Sequence, residues 1–154
     1  MAGYDDLLME HIKGVRNFRA MPDADARVEA LNRLCGDRLE LFLKWDGERA
    51  GDLSFQCECC GISMASSSIL TETLRGLTRR EILAACDRFV GCIADKAADI
   101  EAMDATPAQR ALLEVARKHP SRTECAVLAW RSLRDALQPS GGVDSRGQSL
   151  AAKA

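Results

Sequence analysis

The dipeptide Asp46-Gly47 most constrains the fold, because it favours a tight hairpin turn between two antiparallel strands. The preceding residues 38–45 alternate, with three leucines on one face and mainly polar side chains on the other. Residues 50–56 supply the return strand, and residues 27–33 form an earlier strand. The sequence therefore predicts a small antiparallel sheet.

Helical periodicity lies on both sides of these strands. The predicted helices cover residues 5–13, residues 63 to about 76, a segment starting at Thr78, a segment starting at Thr106-Pro107, and residues 121–137. In the last helix, Ser121 and Glu124 have the spacing of a capping box, with Ser121 as the N-cap. The expected fold class is α+β, with a small antiparallel sheet packed against several helices.

Length and composition indicate one domain, assigned to residues 1–138 of the 154. Residues 139–154 are rich in Gly and Ser and are expected to form a disordered tail. The net charge of −2 includes no basic run interleaved with aromatics, which argues against nucleic acid as a partner. No apolar stretch predicts export or a membrane span, so a cytoplasmic location is expected.

Cysteine is abundant, with seven residues in the chain. In a reducing compartment these are expected to be metal ligands, reactive thiols or core residues rather than a disulfide framework. Cys86 lies on an apolar helical stripe and is predicted to fill the core, with Cys92 inert at its margin. Trp45 and Trp130 are expected to be core or interface aromatics, and His11 is expected at the surface or a helix end.

Three cysteines and one aspartate are the candidate metal ligands. The hairpin brings the segment of Cys35 and Asp37 close to Cys60, while Cys60 and Cys125 lie at helix starts, where amides and the helix dipole favour a thiolate. Thiolates of this kind need a cation, and one carboxylate with three sulfurs suits tetrahedral zinc. Because a carboxylate holds soft metals more weakly than thiolate, the mixture indicates a working site. The Asp37 carboxylate is expected to be the ligand held least by core packing, so Asp37→Ala should weaken metal binding without unfolding the chain.

The segments that carry these ligands resemble the NifU-like iron–sulfur cluster assembly proteins, and specifically their SufU branch. The resemblance covers roughly residues 4 to 137 in order. It rests on Cys35-Gly36-Asp37, on the runs CGISMASSS from Cys60 and PSRTECAVLAW from Pro120, and on MEHIKGVRN from Met9.

The resemblance implies a SufE/NifU-like fold and a surface site of Cys35, Asp37, Cys60 and Cys125. It further implies a zinc-dependent, sulfurtransferase-like protein that accepts persulfide sulfur from a PLP-dependent, SufS-like cysteine desulfurase. The sulfur would pass to downstream cluster assembly proteins. In the SufU-like version, zinc occupies the site and docking on the desulfurase frees Cys35 as acceptor. Cys125 is the competing choice, because it corresponds to the natural acceptor of IscU-like relatives.

Three alternatives remain open at this point. The same ligands could hold a nascent [2Fe–2S] cluster or iron in place of zinc, which would make the chain a scaffold. The zinc could be purely structural, in an interaction module that unfolds when the metal is removed. Cys57 and Cys60 could form a thiol-redox pair, although no thioredoxin-like βαβ pattern surrounds them.

The chain departs from the family pattern at two places. Where relatives have a GEGC run, it has Cys57-Glu58-Cys59-Cys60, so two additional thiols lie beside a candidate ligand. Glu124 occupies a position that is usually basic in SufU-like proteins and histidine in IscU-like ones. For Glu124, a helix-capping role is the prediction.

Overall fold

The computed structural model describes residues 4–33, 36–95 and 105–138 of the chain. Three strands form one antiparallel sheet in the order β1-β2-β3: β1 (Ala26–Asn32), β2 (Asp37–Asp46) and β3 (Arg49–Glu58). The helices are α1 (Tyr4–Lys13), α2 (Gly61–Leu74), α3 (Arg79–Ala94), α4 (Pro107–Lys118) and α5 (Thr123–Leu137). The predicted α+β class is confirmed. The predicted tail at 139–154 lies outside the described residues, so the domain boundary stays a prediction.

The predicted β2–β3 hairpin is confirmed. Asp46 pairs with Arg49 across the turn, where Gly47 has a φ of 62°, the left-handed conformation that favours glycine. The ladder continues to the other end of the hairpin, where Leu39 pairs with Cys57. Both strands are longer than the alternation alone predicts. Asp37 therefore lies within β2, and Cys57 lies within β3.

The core lies on one face of the sheet, against which α2 and α5 pack. The leucines of β2 are buried there together with Phe55, which has no exposed surface. Phe42 points to the opposite face but is only 5% exposed, and the guanidinium of Arg27 lies 5.9 Å from its ring centroid. A basic side chain thus covers the aromatic ring that interrupts the polar face of β2.

The α2–α5 interface combines small polar and large aromatic side chains. Trp130 on α5 is fully buried, stacks on Phe89 of α3 at 4.4 Å between ring centroids, and donates from Nε1 to Ser66 Oγ at 3.0 Å. Ser66 in turn donates to the carbonyl oxygen of Ala126 at 2.6 Å. The expectation that Trp130 is a core aromatic is confirmed. Its hydrogen bond fixes how α5 lies on α2.

The predicted capping box of Ser121 and Glu124 is wrong. Ser121 lies in a 3-10 turn, Pro120–Arg122, and α5 starts at Thr123 after Arg122, which makes no side-chain cap hydrogen bond. Glu124 instead accepts from Arg131 at 2.8 Å, and this hydrogen bond holds the pKa of its carboxyl below the usual range. The Ser-x-x-Glu pattern failed because Pro120–Arg122 form a 3-10 turn, so Ser121 lies inside this turn and Arg122 takes the N-cap position of α5.

The α3 capping box allows a direct comparison with Ser121. Thr78 Oγ1 accepts from the backbone N–H of Glu81 at 3.2 Å, and the Glu81 carboxylate accepts from the Thr78 N–H at 3.0 Å. We expect Thr78→Ala to lower the free energy of unfolding by about 1 kcal/mol. Ser121→Ala should change it by less than about 0.5 kcal/mol. Urea unfolding of both variants measures the difference, and equal losses would contradict the cap assignment.

His11 lies at the end of α1 as predicted, but it is buried, with 5% of its surface exposed, rather than at the surface. Its Nδ1 and the hydroxyl of Ser68 share a hydrogen bond of 2.7 Å, and Ser68 Oγ also accepts from the backbone N–H of Arg16 at 3.0 Å. Glu72 Oε1 lies 3.6 Å from Nε2. The side chain therefore joins α1 to α2.

Burial, followed by the Arg16 charge, holds the pKa of His11 below its ordinary 6.5, although Glu72 and Glu10 oppose the shift. The unfolded chain then binds a proton that the folded chain does not, so the free energy of unfolding decreases as the pH falls below about 6.5. Above that pH, this contribution to stability is fully present. We expect His11→Gln to flatten this decline. Urea midpoints between pH 7.5 and 5.5 test it, since an unchanged slope would exclude His11 as its source.

Candidate metal centre

Three of the four predicted ligands come together at one end of the sheet. Asp37 is the first residue of β2 and is 3% exposed. Cys60 is the N-cap of α2, directly after β3, and is half-buried. Cys125 lies in the first turn of α5 and is 3% exposed. The hairpin and two helix starts thus deliver the three side chains to the same place.

The donor atoms of these residues have a spacing that suits zinc. One ligand atom from each of Asp37, Cys60 and Cys125 lies within 4.8 Å of the others. Asp37 Oδ2 and Cys60 Sγ are 3.8 Å apart. Tetrahedral zinc with ordinary Zn–O and Zn–S bonds separates an oxygen and a sulfur ligand by about 3.6 Å. Small side-chain movements would therefore bring all three donors to bonding distance.

Asp37 accepts hydrogen bonds through both of its carboxylate oxygens. Its Oδ1 accepts from the backbone N–H of Cys60 at 3.0 Å, and its Oδ2 accepts from the hydroxyl of Ser63 at 2.7 Å. The expectation that this carboxylate is loosely held is therefore corrected. Removing it would leave a buried hydroxyl and a backbone N–H without these acceptors, so Asp37→Ala should also destabilise the fold.

Ser63 is the site residue that sequence reasoning missed. Its Oγ lies 3.2 Å from the carbonyl oxygen of Cys125 and 3.8 Å from Cys60 Sγ, in addition to its bond to Asp37. One buried hydroxyl thus contacts Asp37, Cys60 and Cys125, the three candidate ligands that lie within the described residues. The sequence signal that could have found Ser63 is its spacing from Ser66. The two serines are one helical turn apart on α2, and both bond to carbonyl oxygens of α5.

Cys35 lies outside the described residues, and its place in the site stays a prediction. Next to it, in the described part of the β1–β2 connection, the Gly36 N–H donates to the Asn32 carbonyl at 2.7 Å. Gly36 has a φ of 76°, a left-handed conformation that favours glycine. Asn32 and Asp37 are the last pair of that ladder. Gly36, which directly follows Cys35 in the chain, therefore lies at the same end of the sheet as Asp37.

The remaining cysteines fall into two groups. Cys57 and Cys59 form a disulfide, which contradicts the alternative pairing of Cys57 with Cys60 and adds one local bridge to a chain expected to have none. Cys86 is fully buried, and burial raises the pKa of its thiol to about 12, so its predicted core role is confirmed. Cys92 is buried, and its sulfur accepts from Arg117 at 3.6 Å.

Family comparison identifies the class to which this fold belongs. Residues 3–140 match the family described as NifU-like N terminal domain. The chain therefore belongs to the NifU-like N-terminal domain family, whose relatives include iron–sulfur cluster assembly scaffold proteins.

Individual relatives agree with this assignment. The chain is 32% identical to the zinc-dependent sulfurtransferase SufU of Bacillus subtilis over 139 residues, covering 90% of this chain and 92% of the relative. It is 30% identical to the iron–sulfur cluster assembly scaffold protein IscU of Streptococcus pyogenes, covering 89% of this chain and 84% of the relative. These similarities confirm the predicted SufU resemblance.

A solved structure shows the same fold. It is that of FiSufU from Fervidobacterium islandicum AW-1, described as an iron–sulfur cluster assembly scaffold protein for the SUF system. It superposes with a TM-score of 0.76 at 25% identity, covering 86% of this chain and 95% of the other. Among the helices of the described residues, none has the length and apolar character needed to cross a membrane.

Proposed function

We propose that this protein accepts persulfide sulfur from a PLP-dependent, SufS-like cysteine desulfurase and passes it on for cytoplasmic iron–sulfur cluster assembly. The proposed acceptor site consists of Cys35, Asp37, Cys60 and Cys125, which would hold zinc. The observation that carries the proposal is the convergence of Asp37, Cys60 and Cys125 from three distant segments onto one point. The similarity to a relative named a zinc-dependent sulfurtransferase supports zinc rather than another metal.

The donor set supports a reactive site better than a structural one. Structural zinc sites are usually closed by cysteine and histidine, whereas Asp37 contributes a carboxylate, which soft metals hold less strongly than thiolate. Bound zinc would keep the cysteine sulfurs as thiolates, the form that attacks a persulfide, and would protect them from oxidation. The partner enzyme supplies the cofactor that breaks the carbon–sulfur bond of cysteine.

Burial argues against Cys125 as the acceptor. Cys125 is 3% exposed, and its segment is held on α2 by the hydrogen bonds of Ser63 and Ser66. A desulfurase persulfide could reach Cys125 only if α5 moved away from α2. We therefore propose Cys35, which directly precedes Gly36 and Asp37 in the chain, as the residue that receives the sulfur.

Peptide mass analysis after brief exposure to a cysteine desulfurase and cysteine tests this assignment. A single transferred sulfur adds about 32 Da to the peptide that receives it first. We expect the addition on Cys35, and Cys35→Ser should abolish it. Cys86→Ala is the matched control, because this buried core thiol should leave the transfer unchanged. The proposal is wrong if Cys35→Ser acquires sulfur at the parental rate while Cys125→Ser does not.

A scaffold that holds a nascent [2Fe–2S] cluster is the second candidate function. The same carboxylate and thiolates could ligate iron, and a relative of similar identity is named an IscU scaffold. Metal analysis and optical spectra after anaerobic purification distinguish the two functions. Zinc without iron or acid-labile sulfide supports the sulfur acceptor, whereas a stoichiometric cluster supports the scaffold.

The structural-zinc alternative is disfavoured by the core. Buried apolar side chains connect the sheet with α2, α3, α4 and α5 in one cluster that does not depend on the candidate ligands. Removing the metal with a chelator should therefore leave the far-ultraviolet circular dichroism spectrum largely unchanged. Complete unfolding on chelation would instead support the structural-zinc alternative.

A further inference from the structure

The Cys57–Cys59 disulfide lies directly beside the candidate metal centre. Cys57 pairs with Leu39 in the β2–β3 ladder, and Arg38 with Glu58 is the last pair. One step further, the same register places Cys59 opposite Asp37. Cys59 is also joined to Cys60 by one peptide bond. The bridge therefore lies at the end of β3, next to the candidate metal centre. It joins the two cysteines at which the chain departs from the family pattern.

Both sulfurs of this pair belong to half-buried residues that solvent can approach. Cys57 lines an open groove of about 760 Å³, whose wall includes the basic side chains of Arg33 and Arg38. The Cα atoms of Cys57 and Cys59 are 5.5 Å apart, within the ordinary range for a disulfide. This spacing is compatible with a bridge between the two residues at the end of β3.

Cluster assembly requires the reduction of each transferred sulfur, and a pair of thiols can supply the electrons. The outer sulfur of a persulfide is at the oxidation level of elemental sulfur, whereas the bridging sulfur of an iron–sulfur cluster is sulfide. Two electrons must therefore reach each transferred sulfur. A dithiol supplies two electrons when it closes to a disulfide.

We propose that Cys57 and Cys59 are a built-in dithiol reductant that converts sulfane sulfur arriving at the metal centre into sulfide. The proposal rests on the proposed function, because that function delivers the persulfide. It deepens that function by assigning to this chain the dithiol that passes electrons directly to the transferred sulfur.

The reaction proceeds in two balanced steps. The thiolate of Cys59 attacks the outer sulfur of a persulfide on a neighbouring site cysteine, whose sulfur leaves as thiolate. The outer sulfur is then carried as a persulfide on Cys59. The thiolate of Cys57 next attacks Cys59 Sγ, forms the Cys57–Cys59 disulfide, and expels hydrosulfide. One sulfane sulfur is reduced and two thiols are oxidised. An external dithiol of the thioredoxin class returns the pair to its reduced state.

Sulfide release from the full-length, pre-reduced chain tests the proposal. The reductant is removed anaerobically, and the protein receives one equivalent of sulfane sulfur by two routes. One route uses a catalytic amount of cysteine desulfurase with cysteine, and the other uses glutathione persulfide, which needs no enzyme. Sulfide is trapped with monobromobimane, and alkylation with peptide mass analysis measures the oxidation of Cys57 and Cys59.

We expect one sulfide and one Cys57–Cys59 disulfide per chain. The Cys57→Ser/Cys59→Ser double variant should release at least about tenfold less sulfide and, in the desulfurase route, should retain the added sulfur. Cys92→Ala, which removes a thiol from α3, should behave like the parent. The Cys57→Ser single variant should stop with the added sulfur on Cys59.

The two proposals fail in different ways. The reductant proposal is overturned if the parent releases no more sulfide than the double variant while Cys57 and Cys59 stay reduced. This measurement on the parent decides the matter even if a variant folds poorly. If the desulfurase transfers no sulfur but glutathione persulfide yields sulfide and the disulfide together, sulfur acceptance from the desulfurase is wrong and the dithiol reductant stands.

Discussion

Replacing Asp37 with Asn is expected to lower zinc affinity at least about tenfold while the chain stays folded. The Asn side chain keeps an oxygen that can accept the Cys60 N–H, now bonded at 3.0 Å to Oδ1, but it loses the charge that attracts a cation. Zinc titration with a competing chelator measures the affinity, and thermal unfolding monitors the fold.

Asp37→Ala provides the comparison. It removes both acceptors, so the Ser63 hydroxyl and the Cys60 N–H lose their bonds to the carboxylate. We expect the same loss of zinc affinity together with a decrease of about 1–3 kcal/mol in the free energy of unfolding. If Asp37→Asn binds zinc as tightly as the parent, Asp37 is not a ligand, whatever the stability of the Ala variant.

Trp130→Ala is expected to produce the largest loss of stability, about 3–5 kcal/mol. Trp130 has no exposed surface, its ring stacks on Phe89, and its indole N–H is bonded to Ser66. The truncation leaves a cavity between α3 and α5 and removes a partner of Ser66. Because α5 carries Cys125, zinc affinity should also decrease as the α5 packing loosens. Denaturant unfolding measures the stability.

Trp45→Ala is the matched control for this prediction. Trp45 is half-buried, and the guanidinium of Arg79 lies 5.4 Å from its ring centroid. Removing its partly solvated side chain should cost less than half as much as removing Trp130, and zinc affinity should remain parental. Equal costs for the two tryptophans would mean that the α3–α5 packing is not the main support of the fold.

The hairpin and most helix starts could be predicted because their signals are local. Asp46-Gly47 requires no distant partner to form a turn, and Thr78 and Thr106 cap helices through residues three positions away. Convergence of Asp37 with Cys60 followed from the same hairpin.

The parts that escaped prediction depend on contacts between distant segments. Ser63 was recognised only as a helix residue, because its bonds to Asp37 and Cys125 span 26 and 62 positions. Ser121 and Glu124 have the correct spacing for a cap, but Arg131 competes for the Glu124 carboxylate. The Cys57–Cys59 bridge could not be anticipated, since sequence alone does not specify which thiols pair.

The distribution of the candidate ligands along the chain also determines when during biosynthesis the centre can exist. Asp37 and Cys60 are 23 positions apart and meet once the hairpin closes, but Cys125 is supplied by the last described helix. A nascent chain whose α5 is still inside the ribosome can therefore present only part of the donor set. Contacts of such long range form late and slowly in folding. The proposed zinc, captured afterwards, would stabilise the finished fold by mass action, so the metal would select completed molecules over partial ones.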